Sequence, residues 1–469
     1  MVHARPVRGW LLRSVAIACA AATVLAPVVP ASADGARTTA TTVRLRVAEF
    51  NIEYGGTVID FDQVVAAIRA SGADVVGIEE AEGHIPRLAR ALGWPFYDVR
   101  TQVVSKYPLI DPSGGDGHYL YVEVQPGKVA AIENVHLPSW PYGPNKALVG
   151  ATRRKLLALE RRYRLPAIRP FLRAAQPLRD ARVPLFLVGD FNAPSFRDWT
   201  RRSVGTRPQI RFPVRWPVSV AVERAGFQDS YRTLYPNEVR YPGLTWWATR
   251  PRVTDGWNPA RTAPQDRIDV LYTSDVRVRS EWTVGEPGGP GVRVPVWPWP
   301  SDHRMVVGTF SVEPVSPPAF VSVGQRLVTQ GNAVRVRFHG ATPGDHVAVI
   351  PHGSTLADAI ADVPTGAVGD GTASIDTGAW AAGRYVAELA DASDARIAKI
   401  PFWVKEPGAG PTVTTGKHRY GVGEPIDVTW ANTKGERWDW VGIYKRGADP
   451  LVAWYLDWAY TRARPGGTL

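Results

Sequence analysis

The chain has 469 residues, 45% of them hydrophobic and 21% charged, with a formal net charge of +11 and one cysteine, Cys19. It is too long for a single hydrophobic core, so two or three domains are expected. Its basic balance suits polyanionic substrates or anionic surfaces. Cys19 lies so near the N-terminus that disulfide scaffolding, a thiol nucleophile and thiolate metal ligands are excluded from everything after it.

The first element is a leader. Arg5, Arg8 and Arg13 precede an apolar, alanine-rich run from Val15 to Val29 and the small-residue site Ala31-Ser32-Ala33. This pattern predicts a secretory signal over residues 1–33, a mature start near Asp34 and an extracellular destination. The run is too short to span a membrane, and no later stretch is long and apolar enough. Removing three arginines that no acid offsets still leaves a basic mature chain.

A domain of alternating strand and helix signals is expected over residues 34–312. Val43, Leu45 and Val47 alternate with Arg44 and Arg46 as a strand that runs into Phe50-Asn51. Phe61, Val64, Val65 and Ile68 have helical spacing, stopped by Gly72. Asp74 to Ile78 reads as a buried strand delivering Glu79 and Glu80, and Ile85 to Leu92 as a short helix with Pro86 in its first turn. Leu120–Val124 and Val129–Ile132 form a hairpin pattern around Gly127. The run Arg153-Arg154-Lys155 with Arg161, Arg162, Arg164, Arg169 and Arg173 interleaves with leucines, as an amphipathic helix with a solvated basic face. Val183 to Val188 is an apolar strand ending at Gly189, and further strands are expected at Ile268–Tyr272 and Met305–Phe310. Together these predict a layered α+β domain with packed sheets.

Residues 313–318, Glu-Pro-Val-Ser-Pro-Pro, read as a linker. Beyond it come short strands and glycine turns with an internal repeat. Gly331, Val334, Val336 and Phe338 match Gly423, Ile426, Val428 and Trp430 at a spacing of 92. The spacing grows to 94 at Asp345/Asp439 and 96 at Gly371/Gly467. Two immunoglobulin-like all-β sandwich modules are expected, at 319–405 and 411–469. The second has no counterpart to Tyr385–Ala387 or Ile400–Val404, so it reads as a truncated copy: a fragment, an unstable module, or one completed by a partner.

Chemistry concentrates at predicted strand ends. Gly189-Asp190-Phe191-Asn192 places a carboxylate and an amide at positions i and i+2, which point the same way. Such a pair suits activation of a water, one group taking the proton and one holding an oxygen. Asn51 and Glu53, Glu80, His136, Asp269, and Asp302-His303 occupy the ends or flanks of other strands. Singly each is ordinarily a cap, a turn or a surface charge; six such segments in one domain fit a cluster of carboxylates, amide and imidazole. Without thiols, a metal site there would use oxygen and imidazole donors, which favours magnesium, calcium or manganese.

The ordered set Asn51-Ile52-Glu53, Glu79-Glu80, Ser105-Lys106-Tyr107-Pro108-Leu109, Asn134-Val135-His136-Leu137, Gly189-Asp190-Phe191-Asn192, Arg267-Ile268-Asp269 and Ser301-Asp302-His303 resembles the endonuclease/exonuclease/phosphatase superfamily, over roughly residues 43–311. The resemblance implies a four-layered αββα sandwich with the active site at one end. It implies metal ligation by Glu80 and Asn51, with Glu53 and Asp302 near the metal, magnesium being expected first and manganese or calcium as alternatives. It further implies that Asp190 orients or deprotonates water and that Asn192 holds it or a phosphate oxygen. By the same resemblance His303 contacts the scissile phosphate with Asp269 orienting its ring, and His136 binds the phosphate or assists the leaving group. Three features depart from the family pattern: the Glu80–Ser105 segment is short, Val103-Val104 lacks the usual glycine, and Glu79 replaces a common glutamine.

Aromatic residues crowd the expected rim: Trp140 and Tyr142, Trp246 and Trp247, Trp297 and Trp299. Of these Trp140, Trp246, Trp247 and Trp299 are candidate substrate contacts, able to stack on bases or dip into a lipid interface. The expectation is a secreted metal-dependent phosphodiesterase acting on nucleic acid, with a sphingomyelinase-like phospholipid hydrolase as the alternative. A non-catalytic binding protein with a degenerate hydrolase domain is the reading from another class. A cell-surface or wall ligand is the partner expected for the β repeats.

Overall fold

The computed structural model describes residues 42–254, 258, 260, 262–366, 369–448 and 456–469. The expected leader, with Cys19, lies outside the described residues.

Thirteen strands build two sheets. They are β1 (Val43–Asn51), β2 (Val75–Glu79), β3 (Phe96–Asp98), β4 (Val103–Ser105), β5 (Leu109–Ile110), β6 (Leu120–Gln125), β7 (Lys128–His136), β8 (Leu185–Asp190), β9 (Gln228–Asp229), β10 (Asp269–Ser274), β11 (Arg277–Gly285), β12 (Val292–Pro295) and β13 (Met305–Val312). One sheet has the order β12-β11-β13-β1-β2-β4-β3 and the other β5-β6-β7-β8-β10-β9.

Side-chain alternation along the strands makes the layers. In β1, Ala48 and Phe50 face the helices α1 (Phe61–Ser71) and α2 (Ile85–Leu92), while Leu45 and Val47 face the other sheet. In β8, Leu185 and Leu187 pack on the helices α3 (Arg164–Asp180) and α4 (Pro217–Arg224), while Phe186 and Val188 face inward. The result is helices, sheet, sheet, helices. Gly72 at the end of α1 and Gly93 at the end of α2 both take left-handed conformations that accept helix termination without a Cβ clash.

The inner layer changes character along its length. At one end it is apolar, with Leu45, Val47, Ile132, Phe186 and Leu271. At the other end the same inward-facing alternation places Glu49, Asn51, Glu79, Asn134, Asp190 and Asp269, all buried. The amide of Asn134 ties the sheets together by donating to the carbonyls of Ile78 (3.0 Å) and Thr101 (3.2 Å). Gly77 makes room for it, since a Cβ there would lie 2.4 Å from Asn134 Oδ1.

The basic run differs in part from its sequence reading. Arg161, Arg162, Arg169 and Arg173 are exposed, but Arg164 is fully buried. It pairs with Glu160 at 2.8 Å and donates to the carbonyls of Ser139 and Pro141. Its position on the inner side of α3 turns a presumed surface charge into a clamp on the loop after His136.

The first β repeat has a three-stranded sheet, 320–323, 333–339 and 370–376, facing a five-stranded one. In the second repeat, strands 412–415, 428–431 and 467–468 reproduce the three-stranded sheet, and 440–443 pairs with 457–460 as 346–351 pairs with 361–364. Val413, Val422, Ile426, Trp440 and Leu456 stay exposed, whereas Trp430 and Ala463 are buried.

One carboxylate joins these parts. Asp111, just after β5, pairs with Arg326 of the first repeat at 2.7 and 3.0 Å and with Arg100, which in turn donates to the carbonyl of Ala463 in the second. Burial alone would raise the Asp111 carboxyl, but Arg100 and Arg326 outweigh it and hold it below the usual range. Asp111→Ala strands two buried guanidinium groups and is expected to cost roughly 3–5 kcal/mol, read as a fall in Tm. A depressed folded pKa means that this contribution is present above the unfolded carboxylate value of about 3.9 and is lost as pH falls through the folded one. Wild type and variant should therefore converge in acid; equal Tm values at neutral pH would show that the pair does not hold the parts together.

Candidate active site

Strand direction explains how distant segments meet. β1 and β2 run parallel, with Asn51 level with Glu79, and β7 and β8 run parallel, with His136 level with Asp190. Their C-terminal ends therefore share one rim. β10 and β13 run antiparallel to these neighbours, so Asp269, which opens β10, and His303, which precedes β13, reach the same rim from their N-terminal ends.

Asp190 sits at the centre. Its Oδ1 accepts from the Asn192 backbone N–H (2.8 Å), and its Oδ2 from the side-chain amides of Asn192 (2.9 Å) and Asn51 (3.3 Å). Gly189 permits this approach: its φ is +132°, and a Cβ would lie 2.0 Å from the Val135 carbonyl oxygen. Asn192 holds a left-handed φ of 48° and also donates to the Leu137 carbonyl (3.0 Å). Burial lifts the Asp190 carboxyl to about 6, with Asp269 adding to the rise and His303 and His136 opposing it.

His303 Nδ1 lies 2.9 and 3.1 Å from the two Asp269 oxygens. Its Nε2 is 3.8 Å from Asp190 and 3.9 Å from Asp302. Burial alone would push this imidazole down, but Asp269, Asp302 and Asp190 outweigh it and hold it well above the ordinary value. The loop is pinned by Ser301, whose hydroxyl donates to the Asn51 carbonyl (2.7 Å) and accepts from His303 N–H. Asp190, Asp269 and His303 each offer a ligating atom within 4.8 Å of the others.

Glu80 accepts from Asn51 Nδ2 (3.1 Å) and the Tyr54 N–H (3.1 Å), and its side chain is partly open to solvent. His136 Nε2 stands 3.5 Å from Asp190 and 3.9 Å from Glu80. Asp302 accepts from the Trp246 indole (3.0 Å). Glu53 is buried with both oxygens engaged: it binds Arg250 at 2.6 Å and accepts from the Asp302 N–H at 3.1 Å. It therefore braces the Asp302 loop, a correction to its expected place as a ligand. Burial and Asp302 raise Glu53 to about 7.

The four tryptophans separate. Trp140 is 60% exposed and carries Lys146 4.8 Å from its ring centroid. Trp246 lies beside His303, with ring centroids 6.3 Å apart. Trp247 is partly buried, its indole donating to the Ala263 carbonyl (3.2 Å). Trp299 is fully buried against Phe50 and donates to the His303 carbonyl (2.7 Å), so it supports the loop from below and cannot meet a substrate.

Sequence reading passed over Glu49 and Arg250, and took Glu79 only as a departure from the family pattern. Glu49 and Glu79 lie under the site, and burial, followed by neighbouring carboxylates including Asp190 and Asp269, raises both well above the usual range. For Glu49 the even spacing with Val47 and Asn51 along β1 was the available signal. Arg250 has no motif around it and is recognised only from its ion pair.

Residues 48–303 match the Endonuclease/Exonuclease/phosphatase family. The chain belongs to that family. Uncharacterized protein F14F9.5 of Caenorhabditis elegans is 30% identical over 252 residues, covering 49% of this chain and 78% of that protein. Among solved structures, an endonuclease/exonuclease/phosphatase from Beutenbergia cavernae DSM 12333 aligns at 17% identity and a TM-score of 0.34, covering 77% of this chain and 99% of its own. An AP endonuclease from Archaeoglobus fulgidus aligns at 16% and 0.34, covering 57% and 99%. The catalytic domain of human Nocturnin with bound sulfate aligns at 15% and 0.33, covering 57% and 94%.

The family hydrolyses phosphoesters and generally uses divalent metals. The donor set here fits such an ion: Glu80 and Asp302 offer hard carboxylate oxygens partly open to solvent, with the buried Asn51 amide held against Glu80. Excess negative charge points the same way, since Glu53, Asp190 and Asp302 are all raised in part by neighbouring carboxylates that a cation would relieve. No helix among the described residues is long and apolar enough to cross a membrane.

Proposed function

We propose that this chain is a secreted, divalent-metal-dependent phosphodiesterase that acts on nucleic acid, carrying immunoglobulin-like β modules as accessory units. The observation that carries the reading is the meeting of Asp190 with the His303–Asp269 pair at one sheet end.

In this reading Asp190 takes the proton of an attacking water, and the Asn192 and Asn51 amides hold its carboxylate in place. His303 stays protonated and offsets charge developing on the phosphate oxygens, its Nδ1 proton fixed by Asp269. His136 binds the phosphate or the leaving oxygen. Glu80, Asn51 and Asp302 would hold the metal, magnesium first. When bound, a divalent cation supplies further neutralisation of the phosphate charge.

Exposed Trp140 with Lys146 over its ring supports a nucleic-acid substrate, combining a stacking face with a cation. Exposed Trp140 and Trp297 also suit a lipid interface, which supports sphingomyelin as the second candidate. Hydrolysis of duplex DNA, RNA, sphingomyelin and a chromogenic phosphodiester, each with magnesium and with EDTA, tests both. Nucleic-acid cleavage abolished by EDTA is expected. Cleavage of sphingomyelin alone would move the assignment to the lipid branch, and no cleavage by the folded protein would favour a binding role.

A further inference from the structure

The second β repeat reaches the catalytic rim. Trp438 packs edge-on against His136, with ring centroids 5.9 Å apart and planes at 78°. Tyr460 of the same repeat contacts the Trp438 ring at 5.4 Å, and Trp458 contacts Tyr460 at 4.7 Å. The loop is anchored on both flanks. The Arg437 N–H donates to the Arg100 carbonyl (2.7 Å), and its guanidinium lies 4.8 Å from the Phe171 ring centroid. Asp439 accepts from Glu436 N–H (3.0 Å), and its carbonyl accepts from Thr461 N–H (2.8 Å). Glu436 itself faces the segment after Glu80, where a side chain at Gly83 would lie 3.9 Å from its Oε1.

His136 needs such support. Its Nε2 is buried without a hydrogen-bond partner among the described residues, at 3.5 Å from Asp190. No hydrogen bond sets this nitrogen's direction, which leaves it to the Asp190 and Glu80 carboxylates and to packing. The Trp438 indole lies against the imidazole and limits its rotation. Arg437 adds charge: Glu133, buried on the strand that carries His136, is pushed up by burial and drawn back by the Arg437 guanidinium.

We propose that the loop Gly435–Trp440 of the second β repeat forms one wall of the catalytic cleft, and that Trp438 is a positioning residue for His136. The positioning role rests on the phosphodiesterase reading; the wall does not. A module expected to tether the enzyme would thereby belong to its active site.

The test uses the full chain and whichever substrate the hydrolysis assays select. Trp438→Ala is expected to lower kcat about tenfold with little change in KM, because a misaimed group slows the reacting complex more than it weakens binding. Trp438→Phe should recover most of the loss. The double variant Trp438→Ala/His136→Ala should be no slower than His136→Ala alone, since one residue acts through the other. Unchanged kcat in Trp438→Ala, or fully multiplicative losses in the double variant, would overturn the positioning role.

A second measurement is independent of turnover. Glu82→Cys/Glu436→Cys, treated with a short bis-maleimide, should give an intramolecular link detected by peptide mass mapping. Absence of the link, with both thiols alkylated, would overturn the wall. If the folded wild type cleaves none of the substrates, the phosphodiesterase reading and the positioning role fall together, and the cross-link alone decides the wall.

Discussion

Asp190→Ala is expected to lose turnover by roughly a thousandfold while the protein keeps its fold, because removal of a positioned proton acceptor forfeits the ~10²–10⁴ that general-base catalysis supplies. The carboxylate is buried, fixed by three N–H donors, and lifted to about 6 by its burial. A base poised near that value is ionised at neutral pH and still accepts a proton readily. The same property separates catalysis from stability. A folded pKa raised above the unfolded value means that stability from this group is fully present below about 3.9 and is lost as pH rises through about 6. Asp190→Asn removes that dependence. In metal-free protein, its Tm should therefore gain on wild type between pH 4 and 7 even as turnover disappears. Retained turnover in Asp190→Ala would remove Asp190 from the mechanism, and a collapse of Tm in both variants would make the residue structural.

His303→Ala should cost roughly 10²–10³ in kcat, the scale of one lost electrostatic contact to the transition state. Asp269→Asn gives the sharper result. Burial pushes the His303 imidazole down, and the Asp269, Asp302 and Asp190 carboxylates hold it up. With the Asp269 charge removed, burial gains ground and the imidazole loses its proton at lower pH. The alkaline limb of the kcat profile should then move toward neutrality, with a loss of about ten- to a hundredfold at pH 8. His303→Ala should abolish that limb. An alkaline limb unmoved in Asp269→Asn would assign it to another group and leave His303 without its proposed protonated role.

Much of the two-sheet part is readable along the chain because its signals are local. Gly72 and Gly93 end helices where the apolar spacing stops, and both take the left-handed conformation that an L side chain resists. Period-two patterns at Val43–Val47 and Leu120–Val124 become strands, as such patterns do when one face is buried. The repeat is equally visible: Val336 and Val428 occupy matching central strands. Misreadings arise where a residue's neighbours are distant in sequence. Arg164 looks like its exposed neighbours but turns inward to Glu160, and Trp299 shares a loop with exposed Trp297 yet fills a pocket over Phe50.

The sequence by itself determined the family, the polar residues at strand ends and the internal repeat after residue 318. These depend on residue identity and short spacing, which a linear chain displays. Tertiary structure alone decided which acids face the open rim and which lie behind it. It sent Glu53 to Arg250, stacked Glu49 and Glu79 beneath Asp190, and set Trp438 on His136. Those outcomes depend on the directions of whole strands and on contacts between segments hundreds of residues apart, and nothing in a local pattern carries them.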